Sequence, residues 1–197
     1  IATPLLRDVV APNLVWRVGH VAAAIRKAAA ACFASPSSSG IAATPETSPI
    51  LLASCAKPLS TSLTDDDPVC RRQIAISLAN LLPAAKHKLS GELARSLVPT
   101  LLARLDDSED SVRLIAATAI PHAVHSTLPE DAKGAPIEHS TDALLVHADD
   151  PDPIIREAAK EAILKILPIH PEYVHKAALE NRARHRSPDI CDEIVKA

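Results

Sequence analysis

Aromatic side chains are nearly missing: the chain has one Phe, one Tyr and one Trp among 197 residues. Its apolar fraction of 47% is therefore built from Ala, Leu, Ile and Val. Small and aliphatic side chains suit helices packed close together. They suit a β-sandwich less, because strands favour aromatic and β-branched residues. Glycine is scarce as well, at four, and no Asn-Gly pair is present to close a tight hairpin. The same scarcity excludes the glycine-rich phosphate loops G-x-x-x-x-G-K and G-x-G-x-x-G, and no G-x-S-x-G nucleophile elbow occurs.

Charge of either sign is not in excess. The formal net charge of −3 provides no general basic surface for a nucleic-acid backbone. A local basic run at Arg182, Arg184, His185 and Arg186 reads as the polar end of a helix. No apolar run reaches the roughly 18 residues of a membrane span, and no charged-then-apolar leader opens the chain. Cys32, Cys55, Cys70 and Cys191 show no C-x-x-C spacing, which is the pattern of reduced thiols in a reducing compartment. Methionine is absent and Ile1 comes first, so the expectation is a segment of a longer protein.

What is present is a repeat. Asp65-Asp66 precedes Arg72-x-Ile74-Ala75, Asp106-Asp107 precedes Arg113-x-Ile115-Ala116, and Asp149-Asp150 precedes Arg156-x-Ala158-Ala159. Ile25-Arg26-x-Ala28-Ala29 keeps the second half alone. Arginines at 26, 72, 113 and 156 are separated by 46, 41 and 43 residues. That is the period of two-helix HEAT or armadillo-like units. From the residue before each arginine, apolar positions recur at helical spacing, as in Ile25, Ala28, Ala29, Cys32 and Phe33. Arg71 breaks the frame in the second unit.

A preceding apolar helix is clearest at Leu93, Leu97, Val98, Leu101 and Leu105, and weaker over Leu5–Trp16 and Ile50–Leu63. Pro58, Pro99 and Pro121 fall inside helices and predict bends. The stretch 35–49, rich in Ser, Pro, Thr and Ala, and the stretch 125–137, with Pro129, Gly134 and Pro136, read as loops. The expected fold is all-α: a HEAT-repeat α-solenoid of about four repeats over 1–34, 47–83, 91–125 and 138–168, with capping helices over 171–197.

The Asp/Arg spacing predicts an inter-repeat ladder of Asp65, Arg72, Asp106, Arg113, Asp149, Arg156 and Arg26, structural rather than partner-gripping. The carboxylates also suit helix starts, where free N–H groups favour them. His122 and His125 lie three apart on one helix but lack the further ligands a structural zinc wants, so no metal site, cofactor or catalytic residue is expected. Ser, His and Asp occur without a motif that would assemble them. Trp16 is expected to fill the core between the first two helices.

One segment is more specific. Pro12-Asn13-Leu14-x-Trp16-x-x-Gly19, continuing through Ile25-Arg26-x-Ala28-Ala29, resembles the C-terminal part of the HEAT-repeat dynein axonemal assembly factors. Leu144-Leu145-Val146-His147-x-Asp149-Asp150-Pro151 is similar to that family's last repeat, and His185-Arg186-Ser187 with Cys191 to its tail. His20 and Ala148 depart from the pattern, and 33–93 has general repeat character only. The resemblance implies a non-catalytic cytoplasmic scaffold that assists preassembly of axonemal dynein arms for motile cilia or flagella. Its implied partners are axonemal dynein chains and cytosolic chaperones or co-chaperones, with no nucleic acid and no membrane. A generic repeat adaptor for another client, of the transport or phosphatase-scaffold kind, is the alternative.

Overall fold

The computed structural model describes residues 2–34, 43–86, 88–127, 135–181 and 188–196. The chain starts with α1 (Ala2–Leu5), a π turn (Leu6–Val10) and a 3-10 turn (Ala11–Leu14). Longer helices follow: α2 (His20–Ala34), α3 (Thr47–Ser62), α4 (Pro68–Ala84), α5 (Gly91–Leu102) and α6 (Asp110–Ser126). The last four are α7 (Ala135–His147), α8 (Pro153–Ile166), α9 (Pro171–Asn181) and α10 (Pro188–Lys196). They form an all-α repeat solenoid. Helices α2, α4, α6 and α8 stack one on the next in a single layer. The 3-10 turn, α3, α5, α7 and α9 stack in the same order to make the other layer.

Local chemistry sets the helix starts. Asp67 accepts hydrogen bonds from the N–H groups of Val69 (2.9 Å) and Cys70 (3.4 Å), and Pro68 takes the first helical position of α4. Asp152 does the same for Ile154 and Ile155, with Pro153 first in α8. Both starts satisfy amide groups that have no partner inside the helix, and proline gives up no needed N–H there. Ser90 caps α5 through the Leu93 N–H. Pro58, Pro83, Pro99 and Pro121 lie inside α3, α4, α5 and α6, each of which continues past its proline.

The core lies between the layers. Leu93, Leu97, Val98 and Leu101 repeat at helical spacing along α5 and are buried. Each fully buried leucine contributes about 1.5–3 kcal/mol relative to exposure. At the far ends of α4 and α6 the connections are tied by polar bonds. Ser126 donates through Oγ to the Leu82 carbonyl at 2.6 Å, and the Leu89 N–H donates to the Ser126 carbonyl at 2.8 Å.

Several expectations need adjustment. The first apolar stretch is not one helix over Leu5–Trp16 but a short helix, a π turn and a 3-10 turn that end at Leu14. Helix α3 begins at Thr47, inside the stretch read as a loop, and 35–42 lie outside the described residues. In the second loop, α6 runs on to Ser126, α7 already begins at Ala135, and 128–134 lie outside the described residues. The basic run at 182–187 also lies outside them. On α2 the buried face is Arg26, Ala29, Ala30 and Phe33, whereas Ile25, Ala28 and Cys32 are exposed. The reason is coverage: α4 packs on one side of α2, and no described helix packs on the other.

Candidate functional site

The turn between the two helices of each unit carries a repeated polar device. Arg26 on α2 grips Asp65 in the next turn, Nε to Oδ2 at 2.6 Å and Nη2 to Oδ1 at 3.1 Å. Arg71 on α4 grips Asp107, with both bonds at 2.7 Å. Arg113 on α6 reaches Asp150 at 3.2 Å. Each arginine thus joins its own unit to the following one. The remaining guanidinium nitrogen, Nη1, turns back to its own unit. From Arg71, Arg113 and Arg156 it donates to the carbonyls of Asp65, Asp107 and Asp150, at 2.8, 3.0 and 2.7 Å.

The aspartates are equally committed. Asp65, Asp107 and Asp150 each accept an N–H from the residue two positions on, at 2.9, 3.1 and 2.8 Å, which closes the turn before the helix. Asp107 also takes Arg104 at 3.0 Å. Burial disfavours the Asp107 charge. The Arg71 hydrogen bonds, the Glu109 N–H and the nearby positive charges outweigh that penalty and hold the carboxyl below the ordinary carboxylate range.

This network differs in register from the one expected. Asp65, Arg26 and Arg113 sit in it. Its other members are Arg71, Asp107 and Asp150, while Arg72 and Asp106 point to solvent. Asp149 precedes the residue that pairs. Arg156 bonds to the Asp150 and Pro151 carbonyls. The aspartates in the rungs close turns, and the helix-capping role falls to Asp67 and Asp152. The cue lies in the starts of two helices: Asp67-Pro68-x-x-Arg71 matches Asp152-Pro153-x-x-Arg156.

Trp16 is not core filling. It is half exposed, its ring lies 6.0 Å from the Arg26 guanidinium carbon, and its Nε1 donates to Asp66 at 3.0 Å. The tryptophan roofs the first rung and leaves one face in water. Around it, Pro12 and Asn13 are exposed and Leu14 is buried. The Asn13 amide donates to the Val9 carbonyl at 2.7 Å. Gly19 has φ of 110°, a backbone state that L side chains rarely adopt, and its carbonyl accepts the Ala23 N–H to open α2.

The rungs of the third and fourth units border a cleft of about 690 Å³ lined by Asp106, Asp107, Asp149, Asp150, Arg113 and His147. His147 stands 3.5 Å from Asp106 and 3.7 Å from Asp150. Asp107 and Asp150 are held by arginines. Among the described residues, no group of three or more His, Cys, Asp or Glu is placed to hold a metal ion. No helix formed by them is long and apolar enough to cross a membrane.

His122 and His125 meet a different environment. Burial lowers the affinity of His122 for a proton, and the Lys165 charge adds to this. Burial also lowers His125, helped by His122, His170 and Lys86 and opposed by a bond to the Lys165 backbone. His170 is lowered by burial, with Glu172 opposing. The unfolded chain therefore binds more protons than the folded one just below the ordinary histidine value of about 6.5. Their contribution is intact above that value and is lost as pH falls through the folded values. We expect the urea midpoint to drop between about pH 7.5 and about pH 5.5, and to drop less in His122→Asn/His125→Asn. Equal pH slopes in the two proteins would remove these histidines from the effect.

No family model matches the chain. Its sequence aligns along nearly its whole length with dynein axonemal assembly factor 5. Identity is 28% over 196 residues for the Mus musculus protein, covering 98% of this chain and 23% of that protein. It is 27% over 194 residues for the Homo sapiens protein, covering 96% and 22%. This chain is a distant homologue of those assembly factors. It spans less than a quarter of their length. Among solved structures, a designed armadillo repeat protein in complex with the peptide (KR)4 superposes with a TM-score of 0.64 at 18% identity, covering 98% of this chain and 85% of that one. The crystal structure of an engineered protein superposes at 0.60 with 16% identity, covering 96% and 78%. At these identities the likeness is one of fold.

Proposed function

We propose that this chain is part of a non-catalytic scaffold that assists cytoplasmic preassembly of axonemal dynein arms for motile cilia or flagella. The observation that carries the reading is the alignment with dynein axonemal assembly factor 5, which runs through all the repeats and not one motif alone. The physical form agrees with it. Stacked helix pairs make an extended surface that suits a large, partly folded client, and the Arg26–Asp65, Arg71–Asp107 and Arg113–Asp150 pairs are spent between neighbouring units. Its partners in this reading are axonemal dynein chains and cytosolic chaperones or co-chaperones.

The test is affinity capture with this chain from lysate of cells regrowing flagella, read by mass spectrometry. A designed helical-repeat protein of similar length serves as control. Enrichment of axonemal dynein chains together with cytosolic chaperones is the expected result. Enrichment of unrelated cargo, with dynein chains at control level, would move the chain to a generic adaptor.

A further inference from the structure

We propose that the Arg156 guanidinium is a preformed carboxylate site on α8, and that its occupant is a turn of a partner protein in which Asp is followed two residues later by Lys or Arg. The inference is independent of the dynein reading and rests on what the other ladder arginines hold.

Arg26, Arg71 and Arg113 share one arrangement. Nη1 of each bonds to a carbonyl of its own turn, from Arg17, Asp65 and Asp107 respectively. The opposite edge of the guanidinium grips an aspartate across the seam, Asp65, Asp107 or Asp150. Arg156 keeps the first half. Its Nη1 donates to the Asp150 carbonyl at 2.7 Å and to the Pro151 carbonyl at 3.0 Å. Among the described residues no carboxylate pairs with its other edge. A guanidinium edge suits a carboxylate through two parallel N–H bonds, and one already held by its own turn loses little freedom on binding.

The surroundings of Arg156 point to a partner outside this stack. Helix α10 packs on α9, and no described helix stacks on α8 as α8 stacks on α6. The sequence between α9 and α10, Arg-Ala-Arg-His-Arg-Ser over 182–187, contains no acid, whereas those before α4, α6 and α8 supply Asp65, Asp107 and Asp150. One helical turn past the arginine, Ala30, Ala75 and Ala117 are 0% exposed beneath the next helix. Lys160 stands there in α8 and is partly exposed. A lysine lies readily along a peptide on the surface and obstructs a closely stacked helix.

The rungs also describe the occupant. Each gripped aspartate accepts the N–H two residues on and so belongs to a tight turn. In the first rung that second residue, Asp67, meets the side chain after the arginine, Lys27, at 3.1 Å. The residue after Arg156 is Glu157, whose side chain is 67% exposed and 3.8 Å from Lys160. An acid two residues past the incoming aspartate would meet Glu157, and a base would be attracted. This chain's own turns carry Asp67, Glu109 and Asp152 at that place. The preferred occupant therefore differs from a copy of them.

The test is an NMR titration of the isotope-labelled chain with capped peptides of residues 150–155. One peptide has the natural sequence, a second carries Asp152→Lys, and a third carries Asp150→Asn as well. Binding is read at the Arg156 Nε–H and the Glu157 amide up to about 10 mM, enough to fill a site with a Kd of about 1 mM. The Asp152→Lys peptide should bind about threefold or more tighter than the natural one. Adding Asp150→Asn should weaken it about fivefold or more. Glu157→Lys, a change at an exposed position, should reverse the preference between the first two peptides. The absence of any shift at the highest concentration overturns the proposal. So does a preference that Glu157→Lys leaves unchanged, or an equal shift at Arg72, which is exposed and outside the ladder. A stronger response to inorganic phosphate than to the Asp152→Lys peptide overturns the assignment to a carboxylate.

Discussion

Asp107→Asn is expected to destabilise the protein by about 3 kcal/mol at neutral pH, the low end of the cost of breaking a buried ion pair. The Asp107 side chain is 1% exposed and receives two bonds from Arg71, one from Arg104 and one from the Glu109 N–H. An amide keeps one acceptor oxygen and loses the charge. Two guanidinium groups are then left in a desolvated turn without their counter-ion. For a chain of this size the melting temperature should fall by roughly 6–12 °C.

Asp106→Asn is the matched control. The Asp106 side chain is 84% exposed and stands 3.5 Å from His147. The change there should stay within about 0.5 kcal/mol. The pair of variants separates the observed register from the alternative one, in which Asp106 would carry the rung. Acid adds a second reading. The folded Asp107 carboxyl titrates below its unfolded value of about 3.9, so its contribution is complete above that value and disappears as pH falls through the folded one. The gap between wild type and Asp107→Asn should therefore close in acid. A gap that stays constant down to about pH 2 would mean that the Asp107 charge is not its source.

That register also marks how far the sequence could be read. The stacked-pair fold was legible because Val112, Ala116, Ala119 and Ile120 recur at helical spacing and reappear 43 residues later at Ile155, Ala159, Ala162 and Ile163. The second unit was ambiguous for a chemical reason. Three consecutive aspartates, Asp65 to Asp67, face two consecutive arginines, Arg71 and Arg72, so Asp65–Arg71 and Asp66–Arg72 have equal spacing. Matching Arg72-x-Ile74-Ala75 to Arg113-x-Ile115-Ala116 selected Arg72. The true frame places Gln73 and Ser77 along the seam, and Ser77 is tolerated there because its hydroxyl donates to the Gln73 carbonyl at 2.7 Å. Trp16 misled in a different way. A lone tryptophan was expected in the core, but a tryptophan beside a guanidinium and a carboxylate has partners at the surface. Ile25 and Cys32 were read as buried because periodicity reports which face is apolar and not whether anything covers it.

Ala117→Leu is expected to cost about 1–3 kcal/mol and lower the Tm by roughly 5 °C, the usual penalty for forcing extra methylenes into a filled interior. Ala117 lies one helical turn beyond Arg113 on the same face of α6. Arg113 reaches across to Asp150, so that face meets the α8 unit. Ala30 and Ala75 hold the corresponding places beyond Arg26 and Arg71. At all three seams the rung sets the approach of the second helices, and alanine is what fits beneath it. A leucine at 117 must displace α8 or strain the Arg113–Asp150 bond, which is already the longest of the three rungs. Intrinsic helix preference offers no escape, since alanine and leucine differ little. Lys160→Leu introduces the same side chain at the corresponding place in α8, where the lysine is partly exposed, and should change stability by less than about 0.5 kcal/mol. Equal effects at 117 and 160 would mean that the α6–α8 seam is loose enough to absorb a leucine. Alanine would then have to be explained by something other than the spacing that the rungs impose.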